Sequence, residues 1–290
     1  MTDNRSRPTH CRVSWLVGLV VFFGLAAFAA APAAQAQTSL GRLYDEWQID
    51  LSGAVVILGT TIRVDGSEGQ GTDVNSDDLG LPGDRFMPRA SVRWRPGRRH
   101  ELELGYQFAR RSGERTLDRE VVFADSIYDV GLATKTKFRT DQAFLTYRYA
   151  IQAKERTQLG AGIGVGALPF RFEIDALAST GSDSVTRSAT RSLVGPTASI
   201  GVYGRFLLGE RWYLETDLRA IAIKIDRFKP SIVEGNLAGR YFLSDKLGLE
   251  LGYGISSIRI TVDPRESGKG FSGRIKYPLQ NVRLGVVLSL

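Results

Sequence analysis

The sequence predicts an all-β chain: a transmembrane, antiparallel, up-and-down β-barrel of about ten strands behind a cleavable signal peptide. Three observations predict it. A basic segment with Arg5, Arg7 and Arg12 precedes an apolar run from Val13 to Ala31 and the small-x-small triplet Ala34-Gln35-Ala36, the composition of a secretory signal cut before Gln37. The remaining chain is a succession of period-two segments with 32 glycines in all and a mean hydropathy of -0.12, too polar for a bundle of membrane helices and suited to sheet. In the centre of every segment, one face carries no charged residue.

The elements follow in order. Residues 1–36 form the signal peptide and 37–290 a single barrel domain with no Pro- or Ser-rich linker to divide it. Ten strands are expected near 47–64, 86–95, 101–110, 135–151, 158–174, 193–208, 212–226, 231–243, 247–262 and 273–290. Eight strands are the alternative, if one hairpin is a loop extension. Tight turns are read at Pro96-Gly97-Arg98-Arg99, at 152–157, at Gly209-Glu210-Arg211 and at Ser244-Asp245-Lys246. Longer polar loops are read at 65–85, 111–134, 175–192 and 263–272. Short turns on one side and long loops on the other fit a barrel with both termini in the periplasm.

The faces carry the argument further. In 212–222, Trp212, Leu214, Thr216, Leu218, Ala220 and Ala222 oppose Tyr213, Glu215, Asp217, Arg219 and Ile221. In 101–108, Leu102, Leu104, Tyr106 and Phe108 oppose Glu101, Glu103, Gly105 and Gln107. A lipid-facing Arg or Lys at mid-bilayer costs about 2–4 kcal/mol, so lipid explains the charge-free face. A soluble barrel has the opposite sign, apolar inside and polar outside. Trp47, Trp94 and Trp212 share the outward parity and one rim with Tyr147, Tyr149 and Tyr241, an aromatic girdle at headgroup level.

On the same parity Asp50, Glu101, Glu103, Glu215, Asp217, Glu234 and Glu250 point inward with Arg89, Arg93, Arg148, Arg205, Arg219, Arg240 and Arg283. The signs balance, and every cation is Arg, whose planar fork suits partly buried carboxylate pairs. A barrel of this size has little free interior, so the network is expected to plug and stiffen it; an ion-selective pore favours one sign. The inward glycines Gly160, Gly162, Gly164 and Gly166, with Gly248, Gly252 and Gly254, make room for guanidinium groups opposite. The competing reading is a narrow solute path.

Other chemistry is thinly represented. The only cysteine, Cys11, precedes the apolar run, which leaves the mature chain without thiols. His10 leaves with the signal and His100 lies in a short turn, so no histidine remains to serve as a general base at the outer rim. No enzyme activity, cofactor or zinc site is expected. Asp73, Asn75, Asp77 and Asp84 have part of a calcium-loop spacing, but Asp78 stands where glycine is required and Asp84 where Glu is usual; a solvated acidic loop is the expectation. The mature chain retains 35 basic against 30 acidic residues, too mild and dispersed an excess for nucleic acid. Arg187, Arg191, Arg227, Lys229, Lys269 and Arg274 lie at or above the outer rim, where lipopolysaccharide phosphates are accessible to charge-assisted bonds.

The closing octapeptide, Arg283 to Leu290, places Gly285, Leu288 and Leu290 in a polar-x-Gly-x-x-apolar-x-apolar pattern. It resembles the C-terminal sorting signal of bacterial outer-membrane β-barrels, which implies recognition by the barrel-insertion machinery. Asp77-Asp78-Leu79-Gly80-Leu81, Arg99-His100-Glu101-Leu102-Glu103-Leu104-Gly105-Tyr106 and Thr116-Leu117-Asp118-Arg119-Glu120-Val121-Val122-Phe123 resemble segments of a group of uncharacterised outer-membrane barrels of Gram-negative bacteria, over about one third of the mature chain. More coarsely, the whole chain is similar to small barrels of the OmpA, OmpX and OmpW type, though it ends in Leu290 where many members have Phe. The resemblance implies export through the inner membrane, residence in the outer membrane as a monomer, and lipid and lipopolysaccharide as partners. It transfers no activity.

Overall fold

The computed structural model describes residues 43–66, 71–123, 126–180, 183–222, 227–263 and 272–290. The expected signal peptide, residues 1–36, lies outside the described residues. Fourteen strands are described: β1 (Trp47–Leu58), β2 (Thr61–Val64), β3 (Val74–Asn75), β4 (Asp84–Trp94), β5 (His100–Thr116), β6 (Val121–Phe123), β7 (Ser126–Tyr128), β8 (Ala133–Ala153), β9 (Thr157–Thr180), β10 (Asp183–Leu207), β11 (Trp212–Ala222), β12 (Phe228–Phe242), β13 (Leu247–Val262) and β14 (Gly273–Ser289).

Ten of them form the wall. β1, β4, β5 and β8 to β14 pair antiparallel in sequence order, and β14 returns to β1 through pairs such as Leu51 with Val286 and Ala54 with Arg283. Closure removes both sheet edges and satisfies the backbone internally, as a hydrocarbon environment demands. The barrel therefore has ten strands and not eight. The expected strand 47–64 is interrupted at Gly59-Thr60: β1 pairs with the lower part of β14, and β2 resumes on its upper part with Ile62 opposite Ile275.

The expected polar loop 175–192 is largely strand. β9 and β10 run for 24 and 25 residues and pair without a break from Thr157 with Phe206 to Thr180 with Asp183. About 9–11 residues suffice to cross a bilayer, so this hairpin projects far beyond it. Residues 111–116 and 133–134 likewise belong to β5 and β8.

The cause is a reversal of side-chain polarity along each wall. In the lower belt the outward residues are apolar and exposed, among them Leu51, Val55, Phe86, Leu104, Ile163, Val202, Leu218, Leu251 and Leu284. Above it the outward positions become charged, with Arg110, Lys135, Lys137, Arg139, Arg171, Lys229 and Arg259 exposed. The inward positions change in the opposite sense. Val56, Leu58, Ile62, Phe138, Phe170, Phe172, Ile174, Ile232, Ile260 and Tyr277 are buried together in one apolar cluster. The lower belt is thus patterned for lipid and the upper wall for water.

The long-loop end is roofed from within. Val74, Leu79, Leu81, Leu117, Val121, Phe123 and Tyr128, from the connections after β2 and β5, are buried in the same cluster. A short 3-10 turn at Asp77–Leu79 ends on Gly80 in the left-handed region (φ 65°), where a side chain would also crowd the Glu114 carbonyl. At the short-turn end Leu43, Leu207, Tyr213, Phe242 and Val287 are buried in a smaller cluster.

Candidate functional site

Between these two apolar layers lies the charged interior. The inward positions of nine strands deliver it, because period two places every second side chain in the lumen. Glu101 is the centre of one group: Arg205 Nη2 approaches its carboxylate at 2.6 Å, Arg95 Nε at 2.6 Å and Arg148 Nη1 at 2.7 Å. Glu103 meets Arg148 at 2.9 Å and Arg89 at 3.1 Å. Glu215 binds Arg93 at 2.7 Å and lies 3.3 Å from Arg205 and 3.5 Å from Arg240. Arg240 bridges Glu250 at 2.7 Å and Asp50 at 3.3 Å, and Arg283 donates to Glu250 at 2.7 Å. Asp217, Arg219 and Glu234 form a smaller set, at 3.1 and 3.6 Å.

All fourteen expected lumen residues are therefore in the interior, eleven in one connected group and three in the second. Arg95 is the member that sequence reasoning missed. It follows the last residue of β4 but keeps the inward parity of Arg89 and Arg93, and is 3 % exposed. That continued alternation was the available signal. Arg95 brings the guanidinium groups to eight, and the buried Asp141, held by Arg139 at 2.8 Å, brings the carboxylates to eight.

The glycine rows are filled. Side chains placed on Gly162 and Gly252 would meet Arg148 and Arg283, and those on Gly160 and Gly254 would meet Tyr203 and the Asn236–Asn281 pair. Glycine here admits the large neighbours.

The aromatic residues gather at the short-turn rim in three groups. Trp47 and Trp94 are cross-strand partners with ring centroids 5.9 Å apart, and Trp212 and Tyr241 are likewise paired at 4.9 Å. Tyr147 accepts or donates a 2.7 Å hydrogen bond with His100 Nδ1, and Tyr149 packs edge-on against the same ring. These residues bound the charge-free belt on the side where headgroups lie. The chain is a closed ten-stranded membrane β-barrel.

The sequence matches no protein-family model and no curated protein. Solved barrels are similar to it in shape. The P. putida toluene transporter TodX superposes with a TM-score of 0.32 and 10% identity, covering 88% of this chain and 93% of that one. Neisserial surface protein A gives 0.30 and 11%, covering 84% and 97%, and the KdgM porin 0.32 and 8%, covering 83% and 99%. The architecture of the barrel rests on its own strand pairing.

The remaining expected sites are dispersed. Asp73 faces Arg274 at 2.9 Å, Asn75 Oδ1 accepts from Thr61 at 3.0 Å, the Asp77 carbonyl accepts from Arg115, and Asp84 begins β4. Among the described residues no three His, Cys, Asp or Glu side chains group as metal ligands. Lys229 is paired with Asp263 at 2.6 Å, Arg227 donates to the Asp263 carbonyl and Arg191 to the Thr190 carbonyl, each at 3.1 Å, so four of the rim cations have protein partners. Lys269 and the side chain of Arg187 lie outside the described residues. In the last strand Gly285 packs on Ser52, Leu288 is half-buried, and Leu290 is exposed with its N–H donating to the Trp47 carbonyl at 2.9 Å.

A chamber of about 50 Å³ lies at the junction of the charged layer and the apolar cap, lined by Arg89, Gln107, Phe144, Arg219, Asn281 and Arg283 among others. The lumen is thus layered from the short-turn end as apolar base, charged network, chamber and apolar cap.

Proposed function

We propose that the chain is an integral outer-membrane β-barrel of Gram-negative bacteria whose lumen is sealed, and that it serves a structural or surface-interaction role. The observation that carries this reading is the stacking of two closures of different chemistry. Arg205 and Glu103 in the charged layer have fully buried side chains, and the cap above it is a continuous apolar cluster. A hydrated path through both requires breaking many charge-assisted bonds and exposing packed aromatic rings. Export through the inner membrane, recognition of the final strand by the insertion machinery, a monomeric state, and contact of the outer rim with lipid and lipopolysaccharide belong to the same proposal. The projecting β9–β10 hairpin supports work at the surface, since a barrel needs no such wall to span lipid. The position of His100, held against Tyr147 and Tyr149 at the short-turn rim, supports a role other than catalysis.

Planar-bilayer recording of the refolded mature protein tests the proposal. A flat baseline is expected. Steady, reproducible current steps would overturn the sealed lumen and favour the alternative, a narrow channel or uptake protein for small solutes.

A further inference from the structure

We propose that the mid-lumen chamber is a binding site for a small monovalent inorganic anion of halide size. Three guanidinium groups line it, Arg89, Arg219 and Arg283, beside two carboxylates, Glu234 and Asp141. Arg89 and Arg219 stand over the Phe144 ring at 5.0 and 5.6 Å from its centroid, which holds both cations beside the space. Arg89 has a single carboxylate partner, Glu103 at 3.1 Å, which Arg148 shares at 2.9 Å. Arg283 commits its Nε to Glu250 at 2.7 Å. The second acid at this level, Asp141, is held by Arg139 at 2.8 Å and by the Tyr106 hydroxyl at 3.0 Å.

Charge counting gives the sign of the ligand. With Asp141 counted, eight guanidiniums face eight carboxylates at this level. Just above, Arg111 leaves one positive charge in excess: it is 3 % exposed, lies between the Phe138 and Tyr277 rings, and donates to the Thr60 hydroxyl. Its Nε and Nη1 have no hydrogen-bond partner. Burying an uncompensated charge is costly, so a counter-ion at this level is favourable.

Asn281 is the independent observation. It lines the chamber, is 7 % exposed, and its Oδ1 is without a partner. Buried polar atoms are nearly always satisfied. An anion held by Arg89 and Arg283 offsets the excess charge, and a water beside it donates to the orphaned Asn281 Oδ1. A space of about 50 Å³ admits a halide with a water.

The test uses the mature protein refolded in sodium chloride, sodium bromide or sodium gluconate at equal ionic strength. The urea midpoint should be higher in chloride and bromide than in gluconate. Arg89→Gln, which restores equality of signs, should lose that difference, whereas Arg259→Gln on the outer face of β13 should keep it. Crystals grown in bromide should show an anomalous peak in the chamber of the unaltered protein. Coincident midpoints in the three salts, a salt difference retained in Arg89→Gln, or no bromide peak would each overturn the site. The bromide arm needs no variant and so stands if Arg89→Gln fails to fold. The proposal concerns the same lumen as the sealed-barrel reading but fails separately, since conductance can be absent with or without a bound anion.

Discussion

Arg205 on β10 donates to Glu101 on β5 at 2.6 Å, across 104 residues of sequence and three steps around the wall. Arg205 has no exposed side-chain surface, and Glu101 also holds Arg95 and Arg148. The pair therefore ties non-adjacent strands together where no backbone ladder does.

Removing one partner of a buried ion pair leaves the other uncompensated, at a cost of about 3–5 kcal/mol. Arg205→Met should destabilise the barrel by about that amount in equilibrium urea titrations of folding into vesicles. A change within experimental scatter would show that the network relaxes around the loss, with Arg95 and Arg148 sufficient for Glu101.

The lipid belt gives a second prediction. Leu104 faces outward and is 61% exposed, in the middle of the charge-free face. Leu104→Arg should cost about 2–4 kcal/mol. The same change at Ser112, outward on the same strand above the belt, should be nearly neutral. Equal costs at the two positions would refute the proposed boundary between lipid and water.

Gly105 marks a close approach. A Cβ there would overlap the Phe144 ring, which is itself the platform between Arg89 and Arg219. Gly105→Val should therefore cost about 1–3 kcal/mol through overpacking. Gly209→Ala, with no atom within 4 Å of the added carbon, should leave the unfolding midpoint unchanged.

The outer wall predicts a pH effect of known sign. Glu114 accepts a hydrogen bond and a favourable field from Lys135 at 2.8 Å, which holds its carboxyl below the usual range. A lowered folded-state value means that the stabilisation is present above the unfolded-state value and is lost as pH falls through the folded one. Both groups are solvent-exposed, so the energy is small. NMR titration should place the Glu114 midpoint below that of an unfolded Glu, and Lys135→Met should raise it. An unchanged midpoint in the variant would remove the pairing.

Much of the wall was legible in the strand alternation. The ranges 158–174 and 247–262 reappear within β9 and as β13, because period two and charge exclusion are properties of each segment alone. The apolar cap was missed for an instructive reason. Phe138, Phe170 and Phe172 continue the inward parity of Arg148, Gly160 and Gly162, yet the inward face changes from polar to apolar above the belt. Lys135, Lys137 and Arg139 reverse the outward face at the same height. Following parity only through the strand centres sampled one side of that reversal. The opposed change on both faces was the readable signal.

The sequence by itself determined the all-β class, the strand phase and the lipid-facing surface, since each follows from neighbours two residues apart on one chain segment. Only the tertiary structure decided the ten-strand closure, the pairing of Glu101 with Arg95, Arg148 and Arg205, the roof over the long-loop end and the chamber beside Arg89. Those depend on which strands stand opposite across the lumen and on how far side chains reach. The physical reason is range: bilayer exclusion of charge acts on every outward residue separately, whereas an ion pair exists only where the barrel's curvature brings two distant residues within about 4 Å.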